Sequence, residues 1–254
     1  MEDPLHRGDR PRSALTPPAR PGPGPAASAD LAPLAPPGLE LIETLAWTGP
    51  AAGPGSDAEA GFLRLDRHLA RMGRAAGRLG WRWDEARIRA ALVAALPPAA
   101  APPLRMRVTL DAIGRIRATA APLAPSRAPW RVILWPERLD PADPWLAVKS
   151  NLRPVHDRAR AALPPGVDEA ILANVSGELC EGTITTLFFD LGQGLCTPPL
   201  RAGLLPGILR AEMLATGACR EAPLALADRP RARLWVGNSL RGLIPALFLD
   251  RAPG

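Results

Sequence analysis

A chain of 254 residues, 47% hydrophobic and 22% charged, carries enough apolar material for one large domain or two small ones, which excludes a fully disordered chain. The net charge of +6 rests on 30 arginines and a single lysine, Lys149, with no run of five arginines, only four Phe and no Tyr, so the basic and aromatic interleaving of a base-stacking nucleic-acid binder is absent. Three cysteines, an odd count without CxxC spacing, support neither a disulfide framework nor a zinc site, and the lack of about 18 consecutive apolar residues excludes a membrane helix. The acidic opening Met1-Glu2-Asp3 precedes no signal-type apolar core, so a cytoplasmic protein is expected.

Ten of the 32 prolines fall within the first 37 residues, where missing amide donors and fixed φ predict a disordered tail over 1–38. LELIETLAW (39–47) reads as a strand, and the Gly/Pro-rich stretch 48–61 as a loop. Leu65, Leu69, Met72, Ala76 and Leu79 recur at helical spacing, and Asp84 can cap a second helix over 85–96. The alternating LRMRVTL (104–110) pairs with RIRATAAPL (115–123) across a turn at 111–114. These elements predict a small α+β N-terminal domain over 39–124, closed by a linker at 121–129. A larger domain over 125–254 follows. It holds a strand at 130–135, the loop carrying Lys149, a helix at 154–163, three strands in EAILAN, ELCEGTI and TTLFFD, a helix opened by Pro206, and late strands in RLWVG and ALFLD.

Four features carry chemistry. An amine condenses with an aldehyde where a guanidinium cannot, so one lysine in a chain that otherwise uses arginine points to covalent amine chemistry at Lys149, against the alternative of a codon accident. Glu178 and Glu181 flank a short apolar strand, where a carboxylate could keep a pyridine nitrogen protonated or could be an ordinary surface charge. Pro206 and Gly207 open a helix whose first amides, at Ile208 and Leu209, form a natural phosphate site. The turn VGNSLRG (236–242) offers Asn238 and Ser239 as further donors.

In this order and spacing, ETLAW, FLRLDRHLARM, the Lys149 loop, EGTITTLFF, TPPLRAGLLPGILR and GNSLRGLIPA resemble the class IV aminotransferase family of pyridoxal-phosphate enzymes over most of 39–254. The resemblance implies an α+β or α/β fold of two domains, D-amino acid aminotransferase-like (fold type IV), with pyridoxal 5'-phosphate in the interdomain cleft. Lys149 would be the Schiff-base lysine and Glu181 the partner of the pyridine nitrogen. Ile208, Leu209, Asn238, Ser239 and Arg71 would hold the phosphate, and His68 would be a packed structural residue. It further implies a small-molecule amino substrate and a homodimer, with no metal.

Two departures bear on the reaction. The position five after the lysine, a tyrosine in branched-chain transaminases, is Pro154, and Gly237-Asn238-Ser239-Leu240 looks more like the turn of the lyases. Both favour 4-amino-4-deoxychorismate lyase, a step of folate biosynthesis, over a branched-chain or D-amino acid transaminase. Against the lyase, Leu110-Asp111 stands where an Arg-Gly is usual, and strand alternation turns Arg105 and Arg107 outward. A chain that kept the fold as an inactive binding or scaffold domain is the alternative of another class.

Overall fold

The computed structural model describes residues 30–49, 58–99 and 101–249. Most of the Pro-rich tail, up to residue 29, and the loop residues 50–57 lie outside the described residues. Residues 30–38, which composition assigns to the tail, are mostly exposed but are anchored to the core through Leu31. Leu31 is fully buried, its amide donates to the Arg78 carbonyl at 2.9 Å, and a short 3-10 turn follows at Ala32–Leu34. An apolar leucine with a core to enter outweighs the surrounding prolines.

The first sheet has three antiparallel strands in the order β1 (Glu40–Trp47), β2 (Leu104–Asp111), β3 (Ile116–Pro122). Helix α1 (Leu65–Arg78) lays Leu65, Leu69, Met72 and Ala76 against β1. Each fully buried leucine or methionine there contributes about 2 kcal/mol. Helix α2 (Glu85–Ala94) starts where the Asp84 side chain accepts from the Arg87 amide at 3.1 Å, and packs on β2 and β3. The β2–β3 turn is shaped by Asp111, whose Oδ1 accepts from the amides of Ile113 and Arg115. The Asp of the Leu110-Asp111 pair is therefore a turn-former.

The second sheet runs β10-β11-β4-β5-β6-β7-β8-β9. Its strands are β4 (Trp130–Leu139), β5 (Glu169–Asn174), β6 (Leu179–Gly182), β7 (Thr186–Asp190), β8 (Cys196–Thr197), β9 (Arg220–Glu221), β10 (Arg233–Asn238) and β11 (Gly242–Phe248). A further antiparallel pairing of β10 with β7 closes six of these strands into a barrel. Helix α3 (Pro154–Ala161) packs on β4 and β5, and α4 (Ile208–Ala215) on β10. This α+β architecture agrees with the expected fold class. Strand β4 is longer than its apolar run suggests, and the ELCEGTI strand stops at Gly182 because Thr183–Thr185 turn the chain into β7.

Candidate active site

Lys149 lies between a 3-10 turn (Pro144–Ala147) and α3, in a segment that pairs with the edge of β1. The Ile42 amide donates to the Lys149 carbonyl at 2.9 Å, Asn151 donates to the Glu40 carbonyl, and Ser150 bridges Leu41. The first sheet thus fixes the backbone of a residue belonging to the second half of the chain. The half-buried amine is lowered from its ordinary value to about 8, chiefly by burial and then by Arg71 and Arg153, with Glu43 and Glu181 opposing. Such an amine is partly free base near neutrality, as a nucleophile or proton carrier requires.

Glu181 ends β6 and is buried. Its Oε1 lies 2.9 Å from Nε2 of His156 on α3, and its Oε2 accepts from the Leu205 amide at 3.1 Å. The turn after it is held from below by Glu169, which is fully buried on β5. That carboxylate accepts from the Thr183 amide and hydroxyl, the Ile184 amide and the Thr185 hydroxyl. Gly182 is required in this crowd, since a Cβ there would lie 2.3 Å from the Thr185 hydroxyl oxygen and 2.8 Å from the Glu169 carboxyl carbon. Glu178 faces elsewhere, toward Arg201 and Asn174, as a surface charge.

The third group converges on the start of α4. Gly207 is its N-cap and supplies no side-chain cap, leaving the amides of Ile208 and Leu209, which border the cleft, without an intrahelical partner. Opposite stands the β10–β11 turn with Asn238 and Ser239. The Asn238 side chain is engaged in shaping this turn, accepting from the amides of Leu240 and Arg241 and donating to the Ile184 carbonyl.

Helix α1 closes the group from the other sheet. Arg71 donates from Nε and Nη2 to Glu43 at 2.7 and 2.6 Å and from Nη1 to the Pro206 carbonyl at 3.0 Å. Arg64, at the N-cap of α1 with φ of 58°, bonds Glu212 and the Ser239 carbonyl. His68 sits between Glu43 Oε2 at 2.6 Å and Ser239 Oγ at 2.8 Å. It is packed, as the resemblance implies, yet bonded through both ring nitrogens. Burial would raise the carboxyl of Glu43, but the charge of Arg71 and the hydrogen bonds of His68 and Arg71 win and hold it at about 2.

Lys149, Glu181, Arg71, Ile208, Leu209, Asn238 and Ser239 all border one cleft of about 770 Å3. Its outer wall is the face of the first sheet bearing Thr44, Arg105 and Arg107, with Ile42 deeper. Strand alternation does expose both arginines, but the exposed face is the wall of the cleft. His156 and Arg153 also line it, Arg153 donating to the Thr183 carbonyl at 2.5 Å and to Asp157 at 2.9 Å. Glu43, Glu169 and Arg153 are functional neighbours that sequence reasoning missed. A charge inside an apolar strand, as in LELIETLAW and DEAILAN, was the available signal for the two acids. Among the described residues no cluster of His, Cys, Asp and Glu could hold a metal ion. No helix among them is long and apolar enough to cross a membrane.

The amino-transferase class IV family model matches residues 41–247. A solved structure provisionally described as an amino-acid aminotransferase from Mesorhizobium loti is 44% identical, with a TM-score of 0.75, and the match covers 83% of this chain and 100% of that one. A 4-amino-4-deoxychorismate lyase from Pseudomonas aeruginosa is similar in fold at 24% identity and a TM-score of 0.65, covering 84% of each chain. An Escherichia coli branched-chain amino acid aminotransferase is similar in fold at 18% identity and a TM-score of 0.68, covering 85% of this chain and 79% of that one. No curated protein matches the chain.

Proposed function

Because this chain belongs to the amino-transferase class IV family, whose members depend on pyridoxal 5'-phosphate, we propose that its cleft holds that cofactor and cleaves 4-amino-4-deoxychorismate to 4-aminobenzoate and pyruvate. The residues fit the group. A half-buried amine with lowered pKa, a buried acid backed by a histidine, and a helix start without a side-chain cap face one another across the cleft.

Lys149 would be the covalent anchor, and its Nζ, once released, the base that takes the proton from the substrate's amine-bearing carbon. Glu181 would hold a proton at the ring nitrogen, the amides of Ile208 and Leu209 with Ser239 would bind the phosphate, and Asn238 would shape their turn. The spare donors of Arg71 add positive charge at the same place. Bound in this way, the cofactor supplies an electron sink for the pair left when a bond at that carbon breaks.

One observation carries the choice of substrate. Arg105 and Arg107 stand two residues apart on the cleft face of β2, about 7 Å along the strand, and neither has an ion-pair partner among the described residues. Two free guanidiniums suit a substrate with two carboxylates, which aminodeoxychorismate is. The absence of Tyr at position 154 supports the same reading. Amino-acid transamination is the second reading, favoured by the description of the Mesorhizobium loti relative.

The experiment is an assay of pyruvate release from aminodeoxychorismate with no keto acid present. Release supports the lyase, while amino transfer that requires a keto acid replaces it with the transaminase. A colourless protein that takes up no pyridoxal phosphate would leave an inactive binding or scaffold domain. We also propose a homodimer, which light scattering of the purified chain would test.

A further inference from the structure

Glu43, His68 and Ser239 form a continuous hydrogen-bonded chain from the first sheet to the turn of the second. It runs 2.6 Å from Glu43 Oε2 to His68 Nδ1 and 2.8 Å from His68 Nε2 to Ser239 Oγ, with all three residues buried. A carboxylate only accepts, so Nδ1 of His68 carries a proton. Nε2 then has two options. In a neutral ring it accepts the Ser239 hydroxyl hydrogen, and Ser239 turns only lone pairs toward the cleft, the wrong polarity for a phosphate oxygen. If Nε2 carries a proton as well, it donates to Ser239 Oγ, and the hydroxyl hydrogen is free to point at the anion.

We propose that His68 is a positioning residue that takes up one proton when the cup at Ile208, Leu209 and Ser239 captures a phosphate dianion. In this step the Ser239 O–H rotates from His68 to a phosphate oxygen, and Nε2 gains a proton from solvent. No covalent bond between heavy atoms changes. The other charged groups near His68 are compatible with the added charge: Glu43 from β1 is anionic, Arg71 and Arg64 from α1 are bound to Glu43 and Glu212 respectively, and Lys149 also feels the charge of Glu43. This inference rests on the phosphate placement proposed above.

The test uses the full chain with Lys149→Arg, which keeps a cation at that position but removes the titration of the lysine. Inorganic phosphate is the probe, at a pH where it is already dianionic. Calorimetry in buffers of different ionisation enthalpy counts protons taken up per phosphate bound. About one proton is expected, falling to about zero in Lys149→Arg/His68→Gln, with affinity about tenfold or more weaker. Ser239→Ala on the same background is a smaller change at the turn and must also abolish the uptake. Uptake that survives either substitution, or phosphate binding without uptake in the parent, overturns the relay while leaving the phosphate site standing. If the parent binds no phosphate, the site itself is wrong and the relay falls with it.

Discussion

His156 and Glu181 are joined at 2.9 Å beneath the cleft, and the Leu205 amide takes the other carboxylate oxygen. Both oxygens are thus held in a fixed plane, which orients the remaining lone pairs toward any group above them. Replacing His156 with Leu should weaken cofactor binding about tenfold and shift the visible absorption of the bound form, since a buried carboxylate loses a charged hydrogen bond. An absorbance titration that matches the parent in affinity and spectrum would make the contact purely structural.

Lys149 is held at about 8, below its ordinary 10.5. Only the free base attacks an aldehyde, so the rate of covalent capture of pyridoxal phosphate should climb with pH and level off above about 8. Glu43 is among the groups that raise this value, so Glu43→Gln should move the midpoint lower. Stopped-flow absorbance across pH reads both. Lys149→Arg should show no covalent capture, with borohydride reduction leaving no cofactor on the chain.

The same Glu43 links stability to pH. Its folded value of about 2 lies below the ordinary 4.5, so its contribution is fully present above 4.5 and is lost as pH falls toward 2. The difference corresponds to about 3 kcal/mol, and Glu43→Gln should cost about that much at neutral pH by leaving Arg71 without its carboxylate. Denaturant unfolding of the two proteins at pH 7 and pH 3 measures it, and the gap should narrow at the lower pH.

Among the described residues no hydrogen bond or ion pair joins Arg105 or Arg107 to the groups that would hold the cofactor. Replacing both with Gln should raise KM for a dicarboxylate substrate by about a hundredfold, while cofactor affinity stays as in the parent. Steady-state kinetics alongside cofactor titration separates the two effects. An unchanged KM would remove these arginines from substrate recognition.

Gly237 leaves no room for a side chain. A Cβ there would lie 2.7 Å from the Gly242 carbonyl oxygen and 2.8 Å from Leu209. Gly237→Ala should therefore distort the β10–β11 turn and the start of α4 together, lowering thermal stability by about 2 kcal/mol and phosphate affinity with it. A variant that keeps both would mean that the turn can open without cost.

The cleft residues legible in the sequence were those whose residue type is unusual where it stands. Lys149 is conspicuous among arginines, Glu181-Gly182-Thr183 precedes an apolar strand, and Pro206-Gly207 announces a helix start. Glu43 showed in the sequence only as a charge inside an apolar strand, because its partners, His68 and Arg71, come from a helix whose docking on β1 is a tertiary fact. For Arg105 and Arg107, period-two alternation correctly assigns them a face. It carries no information about what that face borders, and here it borders the same cleft as Lys149. Leu31 escaped notice because composition averages over a window, whereas burial depends on one side chain finding a cavity.

Barrel closure through β10 and β7 has a geometric consequence. Glu181 pairs with Thr186, and Thr186 pairs with Gly237, the residue before Asn238 and Ser239. The acid and the polar turn therefore stand in one row across three neighbouring strands, about 10 Å apart at ordinary strand spacing. A closed ring of strands cannot change that interval without breaking a ladder. Arg64 and His68, by contrast, reach the turn from a helix on the other sheet, while Arg71 of the same helix reaches the Pro206 carbonyl. The second half of the chain acts as the ruler, with a length independent of how the first half sits. The first half acts as a clasp, gripping one end of the ruler through Arg64 and His68 without setting its length.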